Sequence, residues 1–300
     1  MAVRAAPTTT GIADRAAHPQ SRAFRQARQR ARRNLIAHIV LIVFVLGALF
    51  PFYWMIITSV KPLAEAIKAP PTLFPQALQP GNFGDALSQA PFGRYLVNTL
   101  FIATVTTFLN LLTSVLAAYS FATTDFPGKR VIFAFLLTTL MIPFEAILIP
   151  NFILIKNLHL YNTYWAQIVP WTAGTFGIFL VRQFFLSIPK EIFEAAVIDG
   201  ASQWDILWKV AVPLARPALV TLALFSFLGS WNSFVWPLIV TTRQSLFPIQ
   251  VGLRQFTGEA GTNYPLLMAA TTLTIIPIVF LYFFVQRQLI EGVASSGVKG

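Results

Sequence analysis

Residues 35–57 read Leu35-Ile-Ala-His-Ile-Val-Leu-Ile-Val-Phe-Val-Leu-Gly-Ala-Leu-Phe-Pro-Phe-Tyr-Trp-Met-Ile-Ile57, 23 positions without Lys, Arg, Asp or Glu. As a helix rising 1.5 Å per residue this run is about 34 Å long, enough to cross a hydrocarbon layer about 30 Å thick. Five more apolar runs follow, at residues 95–122, 131–155, 163–181, 217–240 and 265–285. The shortest, nineteen residues at 163–181, still reaches about 28 Å. Strands of a membrane barrel would show alternating segments of roughly ten residues, whereas these runs are continuously apolar. The pattern predicts an all-α, polytopic membrane protein with six transmembrane helices.

Composition agrees. Of the 300 residues, 56% are hydrophobic and 11% charged, against roughly 25% charged in ordinary globular domains. That is too few charges to clothe a soluble surface. The chain has no cysteine, which excludes disulfides, thiolate metal sites and a cysteine nucleophile. Its histidines, His18, His38 and His159, are too far apart for a local metal motif, and no metal or catalytic residue is assigned.

The net charge of +11 invites a nucleic-acid reading, but the placement of the charges argues for topology. Arg22, Arg25, Arg28, Arg30, Arg32 and Arg33 crowd just before the first run, so the positive-inside rule places the N-terminus in the cytoplasm. Six crossings return the C-terminus there. Elsewhere the bias is eight positive charges inside to six outside, so the orientation rests on the N-terminal tail. The expected organisation is a basic cytoplasmic arm at 1–34, flexible or partly helical, one membrane domain at 35–290, and a cytoplasmic tail at 291–300. Two outer loops, about 58–94 and 241–264, are the long ones. The first holds six prolines and reads as an irregular cap.

The most informative cytoplasmic stretch, within the loop 182–216, runs Ser187-Ile-Pro-Lys-Glu-Ile-Phe-Glu-Ala-Ala-Val-Ile-Asp-Gly-Ala-Ser-Gln-Trp-Asp-Ile-Leu-Trp-Lys-Val-Ala-Val-Pro213. Pro189 suits a helix start, and Gly200 suits the left-handed residue that ends one. Ser202 with Asp205 three residues on resembles a capping box, opening a second helix through Val210 until Pro213 intervenes. On the first helix Ile192, Phe193, Ala196 and Val197 form an apolar stripe that needs a cover. By pattern alone that cover is as readily a soluble partner as a fold-back onto the membrane surface or the protein's own bundle.

These residues resemble the membrane subunits of binding-protein-dependent ATP-binding-cassette importers. The matching signature is Glu194, Ala195, Ala196, Asp199 and Gly200, followed by Val212-Pro213. The resemblance covers roughly 35–300 and is similar to the carbohydrate branch, in particular the second permease of maltose-type transporters. Its landmarks include Ala118-Tyr119, Phe126-Pro127-Gly128-Lys129, Met141-Ile142-Pro143, Trp231-Asn232 and Gly297-Val298-Lys299-Gly300. Ser233 stands where the family often has Asp, and Thr123 where Arg often follows the Ala-Tyr pair.

The resemblance implies a second permease subunit completing a heterodimer, two cytoplasmic ATPase subunits that bind ATP and Mg, and an extracytoplasmic solute-binding protein. It places the chain in a bacterial-type inner membrane, surrounded by lipid, with no nucleic-acid partner and no cofactor of its own. Glu194 to Gly200 would dock in an ATPase groove, and Gly297, Val298, Lys299 and Gly300 would reach toward the same subunit.

Within the runs, Glu145 is the deepest ionisable group. It can face a pathway, bond a partner permease or satisfy backbone freed by Pro143 and Pro150. Asn98, Asn110, Asn232 and Ser233 are interior polar candidates for pathway or helix-to-helix contacts, and Trp231 and Trp236 candidates for stacking on sugar. No phosphate-cradling loop is present, since Arg130 follows Gly128-Lys129 where Ser or Thr is required. Two other classes stay open from the residues alone: an ion-coupled secondary transporter and a nontransporting scaffold.

Overall fold

The computed structural model describes residues 19–258 and 261–297, with side chains at 33–258 and 261–286. Backbone contacts divide the chain into two units, 1–55 and 56–300. In chain order the helices are α1 (Pro19–Ser59), α2 (Leu63–Ala66), α3 (Asn82–Gln89), α4 (Phe92–Thr123), α5 (Lys129–Thr138), α6 (Phe144–Asn157), α7 (Tyr164–Ile168) and α8 (Thr175–Ser187). They continue as α9 (Lys190–Ile198), α10 (Gln203–Asp205), α11 (Val212–Leu214), α12 (Arg216–Trp231), α13 (Val235–Val240), α14 (Ile249–Leu253) and α15 (Tyr264–Gly297). Two two-residue strands, β1 (Thr257–Gly258) and β2 (Gly261–Thr262), pair antiparallel. The protein is all-α.

Of the six apolar runs, three lie in long unbroken helices, Arg33–Ser59, Phe92–Thr123 and Tyr264–Gln286. The other three are interrupted, which continuous hydrophobicity does not reveal. Run 131–155 bends by 105° between Lys129–Met141 and Phe144–Asn157. The cause is local: the ring of Pro143 drives Ile142 out of the helical region, to φ −83° and ψ 116°. Run 163–181 breaks after Val169–Trp171 and resumes at α8 through an extended Gly174. Run 217–240 breaks at Asn232–Phe234 between α12 and α13, four residues before Pro237, whose ring cannot sit over a helical Ser233 carbonyl.

In the second unit α4 is the central post, with α8 and α12 its principal neighbours. Its buried residues include a polar series, Asn98, Thr99, Thr106, Thr107 and Ser114, which suits helix association in a solvent as apolar as the side chains themselves. One core cluster gathers Val115, Ala118, Val181, Phe185, Ile206 and Leu222. A second, at the other end of α4, joins Ala86 and Ala90 to Phe92, Tyr95, Leu266 and Ala269. The segment after α1 is more ordered than an irregular cap. Glu65 accepts from Thr72 Oγ1 at 2.6 Å and from Gln76 N at 3.0 Å, and Asn82 Nδ2 donates to the Ser59 and Lys61 carbonyls at 2.9 Å each.

Candidate functional site

The signature residues Glu194, Ala195, Ala196, Asp199 and Gly200 lie together on one elbow. Pro189, extended at φ −54° and ψ 135°, starts α9. Its end is a complete left-handed cap. Gly200 takes φ 78°, its N–H donates to the Val197 carbonyl at 3.0 Å, and the Ala201 N–H donates to the Ala196 carbonyl at 3.0 Å. The predicted capping box is present: Ser202 Oγ accepts from Asp205 N at 3.2 Å, and Asp205 Oδ2 accepts from Ser202 N at 3.3 Å. Lys209 Nζ lies 2.6 Å from Asp205 Oδ1. That contact first, and the Ser202 hydroxyl second, pull the Asp205 carboxyl down to about 2.

Two expectations about this elbow need correcting. The apolar stripe of α9 is split. Phe193 and Ala196 pack against the core cluster, whereas Ile192 and Val197 stand exposed with Ile198, which is 85% exposed. The helix is therefore held on one side and offers an uncovered apolar edge on the other. The second helix is also not uniform: after α10 it widens into a π-helix over Ile206–Ala211 and runs through Pro213 to Leu214. Pro213 has no N–H and crowds the Lys209 carbonyl, and the wider register accommodates it. The 78° bend comes two residues later, at Ala215.

Contacts that the sequence did not single out brace the elbow. Tyr119 Oη donates to Gln203 Oε1 at 2.9 Å, and Arg182 Nε donates to the Phe121 carbonyl at 3.0 Å with its guanidinium 4.1 Å above the Phe133 ring. Ile206, Leu207 and Ala211 are buried in the same cluster as Val115 and Val181. Phe193 and Ala196 of α9 thereby pack against a cluster that also holds residues of α4 and α8. Among the proposed tail residues, Gly297 closes the α15 backbone, and Val298, Lys299 and Gly300 lie outside the described residues.

The second feature is a cavity of about 650 Å³, within the 300–1,000 Å³ usual for small-ligand sites. Residues from both sides of each of the three breaks line it: Thr139 and Phe144 at the first, Trp171 and Thr175 at the second, Ser230 and Val235 at the third. Non-helical backbone at membrane depth is tolerated where it is enclosed by protein or borders a cavity. Here α4 takes up freed carbonyls: Asn110 Nδ2 donates to Trp171 O at 3.1 Å, and Thr113 Oγ1 to Thr172 O at 2.6 Å.

The cavity sorts the polar candidates. Asn110 and Ser233 line it, but Asn98 does not. Asn98 donates to the Ser245 and Phe247 carbonyls and accepts from Tyr164 Oη, which makes it a structural clamp. Asn232 is exposed beyond the end of α12 and is not part of the lining. Glu145 sits exposed in the first turn of α6, just past the bend, and is likewise outside the lining. Trp231 is fully buried away from the cavity. Trp236 borders it with its indole N–H tied to the Ala166 carbonyl at 2.9 Å.

Two lining residues that the sequence reading did not single out, Gln167 and Thr106, each hold an unpaired side-chain atom enclosed by protein rather than open to the cavity. Gln167 Nε2 donates to the Leu246 carbonyl at 3.1 Å, which fixes the amide and leaves Oε1 buried without a partner. Thr106 Oγ1 is buried in the same condition. Each such group costs about 1–3 kcal/mol while it stays unpaired. Nothing in the apolar pattern of the sequence marks either residue, since both lie in runs read as continuous spans.

Comparison with known proteins follows this geometry. Residues 110–295 match the family of binding-protein-dependent transport system inner membrane components. The chain is 38% identical over 256 residues to the arabinooligosaccharides transport system permease protein AraQ of Halalkalibacterium halodurans, covering 84% of this chain and 92% of that one. It is 32% identical to the sn-glycerol-3-phosphate transport system permease protein UgpE of Yersinia pestis, covering 88% and 96%. Among solved structures it superposes on a chain of a bacterial transporter involved in import of the acidic polysaccharide alginate, with TM-score 0.76, 26% identity, and coverage of 87% and 97%. The chain belongs to the family of binding-protein-dependent transport system inner membrane components: it is a multi-pass membrane permease component.

Proposed function

We propose that α9 is the point at which a separate ATPase grips this permease. The chain is a permease subunit of a binding-protein-dependent sugar importer; the docking itself is our reading. The observation that carries it is the split of α9, anchored through Phe193 and Ala196 while Ile192, Val197 and Ile198 stand uncovered beside exposed Glu194. Such a helix is rigid from behind and adhesive in front. ATP can drive the membrane part only if the ATPase binds one of its global states better than the other. Reversing a 1:99 population takes about 5.5 kcal/mol of differential affinity, and a braced elbow delivers that difference to α4 and α8.

The full assembly in this proposal has a second permease subunit, two ATPase subunits holding ATP and Mg, and an extracytoplasmic solute-binding protein, with both termini of this chain cytoplasmic. Gly297 to Gly300 is assigned a further ATPase contact. The chain supplies no ATPase site of its own, so the work comes from the partner. The cargo is a sugar or related polyol, in line with the relatives' names. Charge reversal at Glu194→Lys together with Ile198→Glu tests the docking. Loss of ATPase subunits from the purified membrane complex is expected. Retention at wild-type stoichiometry, or uptake driven by a sodium or proton gradient without nucleotide, contradicts it.

A further inference from the structure

The function proposed above uses α9 and leaves the segment after it without a role. Residues 203–214 form one helical arm, made of α10, the π-helix over Ile206–Ala211 and α11, and this arm stands at 78° to α12. α12 carries the start of the apolar run 217–240 into the membrane. An arm at 78° to such a helix lies close to the membrane plane. Around its circumference the arm is sorted. At close to four residues per turn, side chains four apart stack in columns. One column, Leu207 and Ala211, is buried with Ile206 in the core cluster. The opposite column holds Asp205 and Lys209, paired at 2.6 Å. Between the two stand Trp204 and Trp208, 64% and 43% exposed, whose indoles make no hydrogen bond or ring contact among the described residues.

We propose that the arm rests on the bilayer and holds the headgroup of an anionic phospholipid, with Trp204 and Trp208 at headgroup depth and Arg216 supplying the cation. An apolar side, a flank of tryptophans and then charge is the order of a helix lying in a bilayer interface. There an indole sets its ring against acyl chains and its N–H among headgroups. Lys209 is already engaged by Asp205. Arg216 is exposed at the foot of α12, and its side chain makes no ion pair or hydrogen bond among the described residues. It sits in a first turn with no acidic residue, where the partial charge of the helix is positive as well, so a phosphate there meets two like charges and no competitor. A bilayer fits this face better than a soluble protein because the arm runs directly into a membrane helix, which fixes its depth at the interface.

The inference needs only that α12 crosses the membrane; the leaflet, the cytoplasmic one, follows from the orientation proposed above. Its test uses the complete transporter, as purified with whatever partner subunits accompany the chain, carrying Trp208→p-benzoylphenylalanine in nanodiscs of equal parts phosphatidylglycerol and phosphatidylcholine. After irradiation the adducts at position 208 are identified by mass spectrometry. Lipid adducts are expected, with phosphatidylglycerol captured roughly threefold or more over phosphatidylcholine. Adding Arg216→Gln should bring the two lipids to near-equal capture without abolishing the adducts.

Adducts confined to an ATPase subunit, to the second permease or to this chain itself overturn the proposal, as does the absence of any lipid adduct. Equal capture of the two lipids with Arg216 intact overturns it too, since a surface that merely borders the bilayer shows no preference for charge. If the Trp208 variant fails to assemble, the same replacement at Trp204, the more exposed of the pair, decides. Absence of ATPase subunits from the purified particle counts against the docking of α9 and leaves the lipid readout standing.

Discussion

The elbow at 187–205 and the broken runs around the cavity both interrupt regular helix, and they do so in opposite ways. At the elbow the hydrogen bonds left over at the interruption are closed internally. Gly200 and Ala201 cap α9, Ser202 and Asp205 cap α10, and Tyr119 fixes Gln203. Around the cavity α4 takes up two freed carbonyls, and Gln167 and Thr106 keep buried side-chain atoms unpaired. The elbow is thus closed upon itself, whereas the breaks border a cavity and lean on α4 for their hydrogen bonds. The two regions share α4, through Tyr119 at one end and Asn110 nearer its middle.

The comparison is broken most severely at Gly200. At φ 78° a β-branched side chain is strained by about 1–3 kcal/mol, so Gly200→Val reshapes the elbow. Uptake per ATP hydrolysed in proteoliposomes is expected to fall by roughly tenfold. Uptake as tightly coupled as in the wild type would show that the cap carries no motion.

Next is the packing between the two regions. A Cβ at Gly177 would collide with Ser114 Oγ and meet Leu222 at 3.0 Å, so Gly177→Ala should cost about 1–3 kcal/mol, seen as a lower thermal midpoint of the purified complex. An unchanged midpoint would mean that α4, α8 and α12 can move apart freely, against the rigid path drawn here.

A smaller effect is expected at the brace. Tyr119→Phe removes one hydrogen bond worth about 0.5–1.5 kcal/mol, and amide exchange over residues 203–211 should quicken while exchange in α15 does not. Uniform exchange would deny the brace a local role.

The smallest effect is electrostatic. The Asp205 carboxyl, ordinarily near 3.8, is held at about 2. A depressed carboxylate contributes order that is fully present above 3.8 and lost as pH falls through about 2. Protection of the Ser202 and Asp205 amides, corrected for intrinsic exchange, should decline over that window, and the decline should vanish in Asp205→Asn.

The same contrast explains what the sequence discloses. The elbow is legible because its determinants are local. Pro189, Gly200, Ser202 and Asp205 each act within four residues, and the rules for caps predict all of them. Three of the apolar runs likewise became unbroken helices. The breaks in the others are not visible in hydrophobicity, since a straight and a bent span bury the same kinds of residue. Pro143 and Pro237 mark two of them only in hindsight, because Pro51, Pro150 and Pro277 lie inside continuous helices. The inward turn of Phe193 and Ala196 was hidden for a different reason: on a short amphipathic helix the core-facing and partner-facing residues are both apolar, and only the tertiary contacts of Ile206 and Leu207 separate them.

The most direct test of the α9 assignment uses the absence of cysteine in the chain. A single Ile198→Cys provides one unique thiol at the uncovered edge of the helix, for a short bifunctional cross-linker in the assembled transporter. The account predicts a covalent adduct with the ATPase subunit, both without nucleotide and with trapped ATP, while a cysteine at Leu78, between α2 and α3, gives none. Adducts confined to lipid or to this chain itself, in every nucleotide state, would contradict it.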